Sequence, residues 1–369
     1  KNVVSVLMQH FALACLVSVL WVILGYSLAF SEGNEWIGGF SNIFMSAIGV
    51  DTPSGSIPES LFATFQMTFA IITPALMIGA FVERIKFSAM LIFLSMWLLI
   101  VYVPVTHWVW GGGILSSWGT MDFAGGIVVH ATAGTAALVT ALTLGKRRGF
   151  PKSITPPHSP ILTMIGASML WIGWFGFNAG SALGANGGAG MAMLVTHISA
   201  ATASLVWMFI EWKRFGKPSL IGIVTGMVAG LATVTPASGY IGVPGGLILG
   251  FFGGLLCYLA VDFIRGKLQI DDSLDVFAVH GVGGILGTLL VAFLATSTFS
   301  GLGLAEGQTA VTQFFVQLKA VILTVVWTSV FTYLILKITS FIVPLRVEEQ
   351  EEIEGLDLRS HGEKGYHSD

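Results

Sequence analysis

Long uncharged apolar runs, broken at intervals by short polar segments, dominate this chain. No charged residue occurs between Ser153 and Ile210, between Pro218 and Val261, or between Phe87 and Met121. Each window exceeds the roughly 20 residues that a helix needs to cross a bilayer, so several hold two crossings. The alternation of barrel strands is absent, which leaves helices as the structure that satisfies its own backbone in hydrocarbon. The pattern predicts ten helical spans, at 3–30, 60–82, 87–105, 123–145, 160–182, 189–210, 219–235, 241–264, 276–298 and 313–342.

Composition agrees. With 54% hydrophobic and 10% charged residues among 369, the chain cannot cover a soluble surface of this size, and an all-α integral membrane protein follows. The 46 glycines, with many Ala, Ser and Thr, fit helices whose backbones approach closely. Cys15 and Cys257 sit in apolar runs and indicate no disulfide framework. The first apolar run is too long for a cleavable signal peptide. The formal charge of −3 says little about partners, since much of the acid lies in the segment from Glu348 onward, and no nucleic-acid partner is expected.

Cationic loops stay on the cytoplasmic side. Lys1, Arg84 and Lys86, the Lys146–Lys152 cluster, Lys213, Arg214 and Lys217, Arg265 and Lys267, and Arg346, Arg359 and Lys364 occupy alternate connections. The other connections, 31–57, 106–122, 183–188, 236–240 and 299–312, contain neither Lys nor Arg. Both ends of the chain are therefore predicted to be cytoplasmic. Residues 1–343 form the transmembrane domain and 344–369 a charged cytoplasmic tail.

Two histidines stand out. Val129-His130 is followed by Gly134, and Val279-His280 by Gly284, both inside uncharged stretches. A titratable ring at membrane depth usually faces the protein interior or a cavity. Span four runs inward and span nine outward, so the motifs cross in opposite senses, as inverted-topology repeats produce near the midplane. The histidines are predicted to face each other. Inversion requires an odd number of spans per half, and spans four and nine are five apart. Only four spans precede Lys146, so a first helix is expected upstream of Lys1, with span 313–342 standing outside the repeat. The depths do not match if Asp122 and Asp275 are taken as equivalent helix starts, since His130 lies eight residues after one and His280 five after the other.

The external half offers aromatic and hydroxyl groups. Phe65 and Phe69 share a helix face; Trp110 precedes three glycines; and Trp171 to Ser181 carries Trp174, Phe177 and Asn178. Aromatic faces attract small cations at about 0.5–2 kcal/mol each. A lipid-facing belt is the plain alternative for any one of these rings. A helix–helix hydrogen bond is the plain alternative for each histidine, and a bis-histidine haem site is the competing chemical reading. Asp122 suits an N-cap or an electrostatic bias toward a cation. His10, His107, His158 and His197 receive no role.

Taken together, Trp108 to Gly113, Asp122 to His130, Trp171 to Ser181, Thr235 to Gly242, Asp275 to Gly281, and Gly355 to Asp357 with His361 to Glu363 resemble the ammonium transporter family (Amt/Mep/Rh), in particular its bacterial Amt branch, over essentially the whole chain. The resemblance implies an eleven-helix protomer, a homotrimer with one pore per subunit in the bacterial inner membrane, no enzymatic activity and no cofactor. By motif, Phe69, Trp110 and Ser181 look like the external substrate-binding site and Phe69 with Phe177 like the gate beneath it. His130, His280 and Trp174 look like pore-lining residues and Asp122 like the supporting carboxylate. Ammonium or ammonia is the implied substrate, with methylammonium plausible, and a PII-type signalling protein is an implied partner at the cytoplasmic face. A non-conducting ammonium receptor, a membrane redox protein and an Rh-type gas channel are the competing classes.

Overall fold

The computed structural model describes residues 1–153 and 156–366; the last three residues of the predicted tail lie outside the described residues. Helices fall where the apolar runs place them: α1 (Val3–Phe30), α2 (Glu59–Phe81), α3 (Phe87–Ser117), α4 (Gly126–Leu144), α5 (Pro160–Gly180), α6 (Gly187–Phe215), α7 (Leu220–Val234), α8 (Val243–Lys267), α9 (Phe277–Leu294) and α10 (Ala310–Ile342). Among the described residues, nine of these are long and apolar enough to cross a membrane, and α7 is a shorter apolar helix. The chain is an all-α multi-pass membrane protein.

Local chemistry sets the helix ends. Ser159, Asn186 and Ser219 each accept a hydrogen bond from a backbone N–H three residues on, and Thr309 with Thr312 forms a reciprocal capping box. The spans then pack through small residues. A methyl group at Gly230 of α7 would lie 2.5 Å from Ser199 O, and one at Gly250 of α8 would lie 2.6 Å from the same oxygen. The face of α6 carrying Ser199 and Ala203 thus receives both neighbours at backbone contact, where dispersion and close packing drive association in lipid.

The Arg-rich end of the bundle is tied by buried charge. Arg84 is fully buried and donates to Ser273 Oγ at 2.8 Å, Ala80 O at 2.9 Å and Asp271 O at 2.6 Å. Burial lowers its guanidinium to about 10, against the support of Asp271. Arg147 meets Asp271 with Nε and Nη2 at 2.9–3.1 Å and with its backbone N–H at 2.6 Å. Burial works against the Asp271 carboxylate, yet Arg147 holds it below its ordinary range.

Beyond α10 the chain forms two short helices, α11 (Glu349–Glu354) and α12 (Leu356–His361). Asp357 accepts from Ser5 N at 2.8 Å, Leu356 N donates to Asn2 Oδ1 at 2.8 Å, and Arg346 donates to Leu144 O at 3.0 Å. The described tail is therefore packed against α1 and the end of α4.

Candidate functional site

Two π-helical turns carry the histidines, Gly126–Ala131 leading into the rest of α4 and Phe277–Gly281 leading into the rest of α9. Such turns insert a residue into the helical ladder and recur at functional sites. The two helices cross at their glycines. A methyl on Gly134 would come within 2.3 Å of Gly281 Cα, and one on Gly284 within 2.5 Å of His130 Cβ. Each histidine thus lies beside the small residue of the opposite motif. The rings stack with centroids 5.2 Å apart and an interplanar angle of 17°, and Nδ1 of one lies 3.2 Å from Nδ1 of the other.

That contact has a chemical consequence. Two nitrogens at hydrogen-bond distance need one proton between them, so with both rings neutral one Nδ1 donates and the other accepts. The remote nitrogens are then forced into opposite roles, one a lone pair and one an N–H. His130 Nε2 is buried without a protein partner among the described residues. The direct imidazole contact also leaves no room between the rings for a porphyrin, which removes the bis-histidine haem reading on steric grounds.

Aromatic rings continue from the pair toward one end of the bundle. Trp174 stacks on His130 at 5.4 Å and 11°. Its indole N–H donates to Thr235 Oγ1 at 2.9 Å; Asn178 accepts from Thr235 at 3.3 Å and donates to Thr196 at 2.9 Å. Phe177 lies 6.4 Å from His130 and 4.2 Å from Phe69, and Phe69 lies 5.2 Å from Trp110. Phe69 and Phe177 close the row above the histidines.

Above them is a cavity of about 290 Å³ lined by Phe65, Gln66, Phe69, Trp110, Phe123 and Ser181, among others. Trp110 ends a helical segment of α3 where Gly111 allows a turn; a methyl there would lie 2.0 Å from Ala29 O. The indole N–H is spent on Asp122 O at 2.9 Å. Ser181 Oγ donates to Phe177 O at 2.9 Å, leaving the oxygen lone pairs as acceptors. Gln66 Oε1 is buried and has no protein partner among the described residues. The cavity therefore combines ring faces with neutral oxygen acceptors, a surface suited to a small cation that donates hydrogen bonds.

Asp122 does not line this cavity. Its Oδ1 accepts from Gly125 N and Gly126 N at 2.9 and 2.6 Å, and its Oδ2 from Ile127 N and Val128 N at 2.8 and 3.1 Å. Burial pushes the carboxyl up and the four N–H groups oppose it. Two donors on each oxygen is a geometry that fits the ionised form, anchored at a helix N-terminus.

Asp272, and not Asp275, matches Asp122 in its place before the histidine, which removes the mismatch in depth. Asp272 stands eight residues before His280, as Asp122 stands eight before His130, and its Oδ2 accepts from Phe277 N at 2.7 Å at the start of α9. Burial raises it to about 6. Asp275 instead adopts a left-handed backbone, with φ 56°, and faces Arg265 at 3.5 Å. Its place directly before the helix was misleading; the eight-residue offset was the usable signal. Gln66 and Thr235 carry no site signal of their own in the sequence, because isolated polar side chains in spans are common and most bond to their own helix.

A family model described as Ammonium Transporter Family matches residues 1–366. An ammonium transporter of Bacillus subtilis is 43% identical over 371 residues, covering 99% of this chain and 91% of that protein. Ammonium transporter Amt1 of Archaeoglobus fulgidus is 44% identical over 372 residues, covering 99% and 91%. Among solved structures, one titled Sensor Amt Protein superposes with a TM-score of 0.90 at 29% identity, covering 98% of this chain and 91% of that one. Saccharomyces cerevisiae Mep2 superposes with a TM-score of 0.85 at 34% identity, covering 95% and 81%.

Proposed function

The chain belongs to the ammonium transporter family, and from that premise we propose that it carries ammonium across a membrane by stripping it of a proton between the aromatic cavity and the histidine pair. The cavity at the Trp110 end is the external recruitment site. Ring faces of Phe69 and Trp110 attract the cation at about 0.5–2 kcal/mol each, and the oxygens of Ser181 and Gln66 accept its hydrogen bonds.

Ammonium and potassium carry equal charge in similar size, so cavity fit separates them poorly. The row beneath separates them by chemistry. Phe69, Phe177, Trp174 and two neutral imidazoles offer no fixed charge, and the idealised cost of moving a bare ion into such a medium is about 20 kcal/mol. Ammonium avoids that cost by giving a proton to solvent water at the outer cavity, which carries it off as hydronium, whereas potassium has none to give. Ammonia then meets one imidazole N–H and one imidazole lone pair, and it can both accept and donate along the pair. The observation that carries this reading is the 3.2 Å Nδ1–Nδ1 contact, buried beneath stacked aromatic rings, which gives the two remote nitrogens complementary roles.

The protein is a transporter and not an enzyme. Its outer apolar faces, such as Ile161, Ile165, Met169 and Ile172 of α5, fit a homotrimer in the lipid of a bacterial plasma membrane. Residues 344–369 form the cytoplasmic tail, and its described part, up to residue 366, offers a PII-type signalling protein a packed surface to dock on. The test is reconstitution. Purified protein in liposomes with an internal pH-sensitive dye responds to an external ammonium jump faster than empty liposomes and ignores an equal potassium jump. Binding of ammonium with no flux above empty liposomes makes the protein a receptor and overturns the reading.

A further inference from the structure

Gln313 and Gln317 lie one turn apart on the buried face of α10, 3% and 0% exposed. Gln317 Oε1 accepts from Met121 N at 2.8 Å, and its Nε2 donates to Met121 O at 2.7 Å and to Thr288 O at 3.0 Å. Gln313 Nε2 donates to Gly119 O at 3.0 Å and to Gln317 Oε1 at 3.2 Å. A primary amide has two N–H donors and two oxygen lone pairs, so the Gln317 side chain is fully used. An apolar side chain of the same size would bury here without needing partners. The amide is therefore best explained by what it holds.

It holds two segments of the candidate site. Met121 directly precedes Asp122, whose carbonyl accepts the Trp110 indole N–H and whose carboxylate anchors the start of the His130 helix. Thr288 lies eight residues beyond His280, on the same helix. One side chain from α10, a helix outside the repeat, thus ties the Trp110 wall of the cavity to both histidine helices.

We propose that Gln317 is a positioning residue that sets ammonium affinity by fixing the Met121–Asp122 segment, and through it the Trp110 indole, without touching the ion. The inference rests on the recruitment-site reading above.

The test is a double-mutant cycle with Gln317→Met, a near-isosteric change that removes all four bonds of the amide, in wild-type and Trp110→Leu backgrounds. The readout is methylammonium uptake per folded transporter in liposomes. Gln317→Met is expected to raise the half-saturating concentration about tenfold while the maximal rate falls by less than about threefold, the scale for losing well-made buried hydrogen bonds. In the Trp110→Leu background the same change is expected to have no further effect on half-saturation, because the group it positions is gone. A merely structural role predicts less folded protein with half-saturation unchanged, or the same factor in both backgrounds, and either result overturns the inference. Gln317→Glu, whose carboxylate still accepts from Met121 N but opposes two carbonyls, serves if the methionine variant is not recovered. Loss of both variants from the membrane assigns Gln317 to folding alone and also overturns it. If Trp110→Leu by itself leaves half-saturation unchanged, the recruitment reading falls and takes the inference with it. If Trp110→Leu raises half-saturation and Gln317→Met does not, only the inference falls.

Discussion

Replacing Asp122 with asparagine changes one oxygen for an amide nitrogen and is felt by four backbone groups. The native carboxylate accepts from the N–H groups of Gly125, Gly126, Ile127 and Val128 at 2.6–3.1 Å, two on each oxygen. An amide oxygen can keep two of these donors, but the NH2 group confronts the other two with more donors. Leaving two buried N–H groups unpaired costs about 1–3 kcal/mol each, so roughly 2–6 kcal/mol in all. The unfolding entropy of a chain this long is about 0.8 kcal/mol per degree by the per-residue average, which puts the fall in melting temperature at roughly 3–8 °C. The first turn of the His130 helix loosens, and the Asp122 carbonyl that holds Trp110 moves with it. Thermal melts in detergent and initial methylammonium uptake in liposomes measure the two consequences, and uptake is expected to drop at least about tenfold, about 1.4 kcal/mol of misplacement at the site. A variant that melts within about 1 °C of wild type and transports at the wild-type rate would refute the assignment of this carboxylate as the anchor of the site.

Three further outcomes follow from particular contacts. Gly284→Ala places a methyl 2.5 Å from His130 Cβ and 2.8 Å from Gly126 O, so it is expected to abolish uptake and to destabilise by about 1–3 kcal/mol, both read on purified protein by melting and flux. Thr235→Val removes the acceptor of the Trp174 indole N–H and is expected to lower the maximal uptake rate about three- to tenfold with half-saturation unchanged, because the loss lies below the proposed recruitment site; a shift in half-saturation alone would place Trp174 elsewhere in the proposed path. Burial raises the Asp275 carboxyl to about 7 from an ordinary 3.8, against the pull of Arg265. Its contribution to stability is therefore complete below about pH 4 and lost as pH rises through about 7. Asp275→Asn is expected to flatten the fall in melting temperature across that window, and an unchanged slope would contradict it.

Much of the fold is legible because hydrocarbon leaves few alternatives. An uncharged run of sufficient length must be helical, and the ten predicted spans correspond to α1–α10 with ends shifted by a few residues, apart from α3, which continues past residue 105 to Ser117. The histidine pair was visible because a repeated Val-His with a glycine four residues on is rare in apolar sequence, and the glycines mark where the two helices touch. The π-helical turns were not visible, since an inserted residue leaves no compositional trace. Asp272 is hard to single out because Asp275 stands closer to the helix, and only the completed backbone shows which carboxylate reaches the N–H groups. Gln66, Thr235 and Gln317 share a different difficulty. Hydroxyl and amide side chains in spans usually bond within their own helix, as Thr73, Thr106 and Thr140 do here, so their partners across helices appear only once the helices are packed.

The proposed selection is that two touching imidazoles at the bottom of an aromatic row admit a solute able to shed a proton and refuse one that cannot. It is tested most directly by reconstituting wild type and His130→Ala side by side and measuring ammonium flux and potassium flux in the same vesicles. The wild type is expected to move ammonium and exclude potassium, and the variant to lose ammonium flux, potassium exclusion or both. Unaltered ammonium flux together with unaltered potassium exclusion in His130→Ala would contradict it.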